Sequence, residues 1–282
     1  DLGPPFQIDP PSIPKNCISI QSLQAPSHLG DRLYVMSANE GDARPPDFVR
    51  SGHPLIGDDG RFSDLGSGGR PALDSGADLI LDALYAGNAQ ASAALGRLTI
   101  SLTDGDLDAD GDIDRPTTFG TRSFSIWDAE SMSLVYDSGT DFEMITAALV
   151  PAVFNSDGIA TSFDGRSDNK GPEPEGIVVG RAYGKTLAFI GLERTGGVMV
   201  YDISNPLAPK YFDYFNTGER GAEGMEFIPA ANSPTGQPLL LVGYEVTGQV
   251  GVYTVVPEAR TISAGFALLG LAVVSWRRRS QG

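Results

Sequence analysis

The predicted fold rests on the stretch Leu187-Ala-Phe-Ile-Gly-Leu-Glu-Arg-Thr-Gly-Gly-Val-Met-Val-Tyr-Asp-Ile203. It aligns without gaps on Leu239-Leu-Leu-Val-Gly-Tyr-Glu-Val-Thr-Gly-Gln-Val-Gly-Val-Tyr-Thr-Val255, which begins 52 residues further along the chain. Each copy has an apolar segment, a turn around Thr-Gly and a second apolar segment. This order predicts two antiparallel strands joined by a tight connection.

A further strand is predicted upstream of each copy. Pro174-Glu-Gly-Ile177 and Ala222-Glu-Gly-Met225 begin these strands and are 48 residues apart, while Ser123–Tyr136 resembles the outer half of another unit. A repeat near 50 residues with three or four short strands is typical of propeller blades. We therefore predict an all-β, β-propeller-like fold of repeated four-stranded blades. About three blades are visible and a closed ring needs four to eight, so we expect the fold to be incomplete at the N-terminus.

Composition limits the class of protein and its partners. The chain has 282 residues with 41% hydrophobic residues, 35 Gly and 20 Pro, which favours a loop-rich β protein. Its 36 acidic and 20 basic residues give a formal net charge of −16, so nucleic acid would be repelled. Cys17 is the only cysteine, which excludes an internal disulfide.

The domain organisation follows from these patterns. We assign residues 1–256 to the propeller-like body and residues 257–282 to a C-terminal tail. Residues 41–95 form a long insertion, in which the segment from Ala77 to Leu95 carries a helical pattern. Strands are predicted at 32–38, 97–102 and 121–128, so the segment at 104–114 should connect two strands of one sheet.

That connecting segment is rich in carboxylates and predicts a calcium site. It reads Asp-Gly-Asp-Leu-Asp-Ala-Asp-Gly-Asp-Ile-Asp from residue 104 to residue 114, and we call it the aspartate loop. Counted from its second Asp, the order Asp-x-Asp-x-Asp-Gly matches the first six positions of a calcium loop, although Thr117 replaces the usual Glu at position 12. The alternative is a solvated acidic turn. The predicted calcium ligands are Asp104, Asp106, Asp108, Asp110, Asp112 and Asp114.

The tail combines Val256-Pro257-Glu258, an uncharged run from Ile262 to Trp276 and the cluster Arg277-Arg278-Arg279. This order predicts a short hydrophobic helix directed to a membrane, with a buried core helix as the alternative. It resembles the PEP-CTERM sorting tail, although Ala259 stands where that motif has Pro. The resemblance implies export in a Gram-negative bacterium, transient anchoring in the inner membrane and processing by an exosortase-type enzyme.

Two further groups of charged residues are candidate sites. Glu40, Asp42 and Arg44 follow the strand at 32–38 and are candidate catalytic or ligand-binding residues, or else members of a hydrogen-bonded turn. Glu175 and Glu223 begin equivalent strands, so they either converge on a channel as cation ligands or cap β-turns. Glu193 and Glu245 precede the Thr-Gly turns and are interpreted as hairpin residues.

Three strings carry a family resemblance: Ala38–Arg44, Phe119–Asp128 and Lys170–Gly176. They resemble the choice-of-anchor I family, and the similarity extends from about Leu29 to Val255. The resemblance implies a β-rich extracellular domain joined to an anchor. Some relatives are labelled alkaline phosphatase-like, which implies an enzymatic alternative.

The first functional hypothesis is a non-enzymatic, exported domain that binds calcium and adheres to a surface ligand such as extracellular polysaccharide. A calcium-dependent phosphoesterase and a purely structural matrix component are the alternatives. His28 and His53 are the only histidines and lack zinc-ligand spacing, and the sequence has neither a Gly-x-Ser-x-Gly elbow nor a phosphate-binding Gly-Lys-Ser loop. Hydrolysis would therefore depend on calcium as the Lewis acid.

Overall fold

The structure is a computed structural model that describes residues 20–24, 32–41, 59–84, 87–92 and 94–257. The strands in these ranges are β1 Ile20–Gln24, β2 Leu33–Ala38, β3 Asp59–Arg61, β4 Thr99–Ser101, β5 Phe124–Asp128, β6 Leu134–Asp137, β7 Pro174–Ala182, β8 Lys185–Leu192, β9 Val198–Asp202, β10 Lys210–Phe215, β11 Ala222–Ile228, β12 Leu239–Tyr244 and β13 Gln249–Thr254. The α-helices are α1 Ser75–Leu84 and α2 Asp141–Leu149.

The strands form four antiparallel sheets. The first sheet has the order β1-β2-β5-β6, the second is a meander of β7 to β10, the third contains β11 to β13, and β3 pairs with β4. The prediction of a mostly β protein built from antiparallel sheets is confirmed. Within the described ranges, two sheets have the four strands predicted for each repeat, and the third has three.

The repeated sequence forms hairpins of identical register. Gly191 lies opposite Val198 in the β8–β9 pair, and the equivalent residues Gly243 and Val250 are opposite each other in β12–β13. The preceding strands are equivalent as well, because β7 and β11 each have a β-bulge after their first residue, at 174–177 and 222–225. The predicted strands of both repeats are therefore confirmed.

The second sheet lies between the first and the third, with an apolar core on each face. On β9, Met199 and Tyr201 pack toward the first sheet, whereas Val198 and Val200 pack toward the third. This alternation follows from the two-residue period of a strand. All four side chains are buried, as expected for an internal strand covered on both faces.

The first strands of the sheets lie close together. β7 is adjacent to β11 and also to β1 and β2. A Cβ atom at Gly176 would lie 2.1 Å from the carbonyl oxygen of Glu223, so only glycine allows β7 and β11 to approach this closely.

The described part of the insertion shares a small core with β4 and the aspartate loop, in which Phe62 and Leu81 pack with Ile100 and Ile113. The helix predicted from Ala77 to Leu95 is shorter than expected. The chain turns at Gly87, which has φ +87° and donates its amide to the Asp82 carbonyl at 2.7 Å. Among the described residues, α1 extends from Ser75 to Leu84.

Two other findings differ from the sequence analysis. The aspartate loop does not connect two strands of one sheet, because β4 pairs with β3 whereas β5 belongs to the first sheet. Helix α2 was also not predicted from the sequence, and it places Phe142 in the core between the first two sheets. The Tyr201 hydroxyl donates to Asp141 at the start of this helix, at 2.9 Å.

The predicted sorting tail lies almost entirely outside the described residues, which end at Val256 and Pro257. In the part of the chain that the structure describes, no helix has the length and apolar character that a membrane span requires.

Candidate functional site

The aspartate loop brings three of its carboxylates together. Oxygen atoms of Asp106, Asp108 and Asp114 lie within 4.8 Å of one another. These residues occupy positions 1, 3 and 9 of the calcium-loop pattern. Asp110 and Asp112 lie outside this group, and Asp104 instead accepts a hydrogen bond from the Ser101 hydroxyl at 2.8 Å.

Backbone amides hold the loop in its curved form. Asp106 accepts hydrogen bonds from Ala109 at 2.7 Å and from Gly111 at 3.1 Å. Asp114 accepts one from the Leu107 amide at 2.6 Å, which closes the loop. Short Asp side chains favour turns of this kind because they can bond to amides a few residues onward.

The loop is fastened to the insertion through Ile113, which is 2% exposed. Its amide donates to the Ala72 carbonyl at 2.8 Å, and its carbonyl accepts from the Asp74 amide at 3.0 Å. One apolar residue therefore anchors an otherwise exposed acidic segment.

The close carboxylates repel one another. The neighbouring Asp110 raises the pKa of Asp108, with smaller effects of burial and of Asp114 and Asp106. Burial and then Asp110 raise the pKa of Asp112. A divalent cation would relieve this repulsion, since calcium prefers several carboxylate oxygens.

A second acidic group lies where the three large sheets meet. We call it the glutamate cluster, and it consists of Glu40, Glu173, Glu175, Glu193, Glu223 and Glu245. Oxygen atoms of Glu40, Glu173 and Glu193 lie within 4.8 Å of one another, and all three side chains are buried.

Strand topology explains why these residues converge. Glu40, Glu193 and Glu245 follow the ends of β2, β8 and β12, which are the second strands of their sheets. Glu175 and Glu223 lie at the starts of the first strands β7 and β11. In an antiparallel pair, the start of one strand lies beside the end of the next.

Three basic residues contact the buried part of the cluster. Lys170 forms an ion pair with Glu40 and lies 3.1 Å from Glu173. Arg194 is 3.3 Å from Glu173 and 2.7 Å from Glu193. Arg166 also forms an ion pair with Glu173, so that one carboxylate, which is fully buried, contacts all three bases.

Glu175 differs from its neighbours. Its side chain is 8% exposed, and its Oε2 atom is buried without a hydrogen-bond partner. Burial raises the pKa of Glu175 to about 8, and the carboxylates of Glu193, Glu40, Glu223 and Glu245 add to this rise. The other carboxylates of the cluster are therefore close enough to act on the charge of Glu175.

The exposed side of the cluster also contains carboxyl groups in contact. A hydrogen bond between Glu245 and Glu193 is the main cause that raises the pKa of Glu245. Such a contact requires a shared proton or a cation, because two ionised carboxylates repel each other.

The structure brings together most of the candidates from the sequence. Glu40 joins the cluster through Lys170, and Glu175 and Glu223 lie near each other as equivalent bulge residues. Glu193 and Glu245, interpreted as hairpin residues, belong to the cluster as well. Asp42 and Arg44 lie outside the described residues.

Glu173, Arg166 and Arg194 belong to the site but were not predicted from the sequence. Lys170 and Glu173 both stand in the string Lys170–Gly176 that carried the family resemblance, and Arg194 directly follows Glu193. The closely spaced charges Lys170 with Glu173 and Glu193 with Arg194 were the sequence features that could have indicated these members of the site.

Comparisons with known proteins identify relatives. The profile of the choice-of-anchor I domain matches residues 21–206. Gigasin-3a of Magallana gigas is 31% identical over 189 residues, which cover 59% of this chain and 66% of that protein. The mesenchyme-specific cell surface glycoprotein of Strongylocentrotus purpuratus is 27% identical over 252 residues, or 81% of this chain and 30% of that protein. The chain thus spans less than two thirds of the length of either relative. No solved structure matches it significantly.

Proposed function

This chain belongs to the choice-of-anchor I family, and on that premise we propose that it is a calcium-binding domain displayed outside the cell, where it binds a surface ligand. The name of one relative, a cell surface glycoprotein, supports the location. The formal charge of −16 also suits a protein that binds calcium rather than nucleic acid.

The convergence of Asp106, Asp108 and Asp114 within 4.8 Å is the observation that carries the proposal. These are oxygen donors, which hard cations such as calcium prefer. The backbone is already curved around them, so binding would require little rearrangement. Calcium would then hold the loop in one conformation and stabilise the insertion through Ile113.

We also propose that the three large sheets are blades of a β-propeller-like scaffold. Support comes from the equal hairpin registers, the equivalent bulges of β7 and β11, and the contact between these first strands. In a propeller, the first strand of each blade faces the central channel, and loops at the strand ends form binding surfaces.

The proposal includes a route to the surface. Residues 257–282 would act as a PEP-CTERM-like sorting tail that anchors the chain transiently in the inner membrane of a Gram-negative bacterium until an exosortase-type enzyme processes it. The uncharged run from Ile262 to Trp276 and the arginines that follow it support this part. Extracellular polysaccharide is the proposed surface ligand.

Thermal unfolding of the full chain tests the calcium function. Ligand at a hundred times Kd stabilises the native state by about 2.7 kcal/mol. We expect calcium to raise Tm relative to chelator, and we expect this rise to be smaller in Asp108→Asn/Asp110→Asn. Glu226→Gln, an exposed change from carboxylate to amide, serves as the control. A Tm that does not respond to calcium in the unmodified chain would contradict the proposal.

Two assays on the same protein test the binding role. Cosedimentation with extracellular polysaccharide in calcium should exceed that in chelator. Hydrolysis of a generic phosphoester that disappears with chelator and with Glu40→Gln would instead favour the phosphoesterase. If the protein neither binds polysaccharide nor hydrolyses the phosphoester, the structural matrix role is the remaining alternative.

A further inference from the structure

We propose that the glutamate cluster is a second divalent-cation site, separate from the aspartate loop, whose ligands are drawn from Glu40, Glu175, Glu193, Glu223 and Glu245. The ion would be a hard cation of the calcium type. This site goes beyond the proposed function, because it lies between the sheets and does not depend on the aspartate loop.

The distribution of charge within the cluster is the first reason. Among the described residues, three bases form ion pairs with acids of the cluster, and all three contact Glu173. Glu173 is therefore the best neutralised acid and forms a supporting ion-pair layer with Arg166, Lys170 and Arg194. Lys170 also pairs with Glu40 and Arg194 with Glu193, whereas Glu175, Glu223 and Glu245 take part in none of these ion pairs.

Glu175 supplies an independent reason. Its Oε2 atom is buried and makes no hydrogen bond, although the side chain is more than nine-tenths buried. A buried carboxylate without a partner is strongly unfavourable, and proteins keep such groups where they pair with a charge or bind a metal. Glu175 lies between Pro174, which pairs with Leu192 at the end of β8, and Gly176, which lies against the Glu223 carbonyl of β11.

The position of Glu193 beside Glu245 also indicates a cation site. Their backbones are joined through Gly221, whose amide donates to the Glu193 carbonyl and whose carbonyl accepts the Glu245 amide, each at 2.9 Å. Hydrogen bonding to Glu193 also raises the pKa of Glu245. A cation between the two carboxylates would replace their repulsion with two favourable contacts. Glu193 is buried whereas Glu245 is exposed, so the site is accessible to an ion from the solvent side.

The chemistry of the donors selects the class of ion. All the proposed ligands are carboxylate oxygens, and calcium accepts six to eight oxygen ligands in variable geometry. Magnesium requires a nearly ideal octahedron of ligands, whereas calcium does not. Calcium therefore suits carboxylates that come from different sheets better than magnesium does. A bound ion would connect the ends of β2, β8 and β12 and so cross-link the three sheets.

Ion counting tests the site on the full chain. The Asp108→Asn/Asp110→Asn variant removes the aspartate loop, and equilibrium dialysis should then still find one bound calcium per chain. Adding Glu175→Gln and Glu193→Gln should weaken that binding at least tenfold, whereas adding Glu226→Gln should leave it unchanged.

A melt in chelator separates loss of a ligand from loss of the fold. Glu175→Gln alone should unfold at an equal or higher temperature than the unmodified chain in chelator, because it removes an unpaired buried carboxylate. In calcium it should show a smaller rise in Tm. If Glu175→Gln lowers Tm in chelator, Glu245→Gln provides a second variant, because Glu245 is exposed. This variant should also weaken calcium binding.

Absence of bound calcium in the aspartate-loop variant, while the unmodified chain binds one ion, would overturn the inference and leave the proposed function intact. Full retention of calcium after the glutamate changes would overturn it as well. Conversely, an aspartate-loop variant that binds as many ions as the unmodified chain would contradict the proposed role of the loop without affecting the glutamate cluster.

Discussion

The carbonyl oxygen of Glu193 accepts a hydrogen bond from the amide of Gly221 at 2.9 Å, which ties the end of β8 to the start of β11 in the next sheet. The Gly221 carbonyl in turn accepts the amide of Glu245 at 2.9 Å. One residue therefore joins two strand ends that carry acids of the glutamate cluster, and the backbone positions these side chains before any ion binds.

Gly221→Ala should destabilise the protein. Gly221 has φ +75°, and a Cβ atom there would lie 2.5 Å from Cγ of Glu245. The left-handed conformation alone costs about 1–2 kcal/mol for a residue with a Cβ, and the clash adds to this. Urea unfolding measures the change, with Gly218→Ala as the control because Gly218 has φ +83° but open space around it. If both variants lost the same free energy of unfolding, the close contact of Gly221 with Glu245 would be unimportant.

Gly176→Ala should separate β7 from β11. The added methyl group would lie 2.1 Å from the Glu223 carbonyl oxygen, and a backbone atom cannot move aside as a flexible side chain can. Overpacking of this kind typically costs about 1–3 kcal/mol. The equivalent residue of the next repeat, Gly224, has no atom within 4 Å of such a methyl group. We therefore expect Gly224→Ala to leave the free energy of unfolding nearly unchanged, and the reverse order would contradict the sheet contact.

Asp106→Asn should weaken calcium binding by at least about tenfold, which corresponds to about 1.4 kcal/mol. Asp106 belongs to the convergent group, whereas Asp112 at position 7 would contribute its backbone carbonyl. Asp112→Asn should consequently retain most of the affinity. Competition with a calcium-sensitive chelating dye gives the calcium dissociation constants of both variants. Similar losses of affinity in the two variants would argue against the assigned loop positions.

Stability should fall in alkali because of buried tyrosines. Burial raises the pKa of Tyr214 to about 12, and its hydroxyl donates to the Gly196 carbonyl at 2.8 Å. A pKa raised on folding gives stability that is complete below the unfolded value near 10 and is lost as the pH rises toward 12. One such group contributes a slope of up to about 1.4 kcal/mol per pH unit.

Tyr214→Phe should make that alkaline slope shallower. Urea unfolding from pH 7 to pH 11.5 measures this slope, and the slopes of the two proteins should coincide at pH 7 to 8. An unchanged slope above pH 10 would show that Tyr214 does not keep its proton in the folded state.

Local sequence patterns were sufficient to predict individual hairpins and turns of this protein. The hairpins β8–β9 and β12–β13 could be predicted because each is specified by residues that are close in sequence. Alternating apolar residues indicate the two strands, and the Thr-Gly turn joins them. The Asp-x-Asp-x-Asp-Gly spacing likewise identified the aspartate loop. In contrast, α2 was missed because two of its nine residues, Phe142 and Thr146, are buried, which leaves only a weak apolar pattern.

The tertiary structure alone decided which distant residues meet. Glu40 and Lys170 are 130 positions apart, and nothing in their local sequence specifies the ion pair that joins them. Their contact depends on the packing of the first sheet against the second, which is set by the buried faces of β5 and β9. For the same physical reason the pairing of β4 with β3 was not foreseen, and Glu193, a turn residue by its sequence, proved to be a buried member of the glutamate cluster. Local patterns specify strands and turns, whereas long-range packing determines where their ends converge.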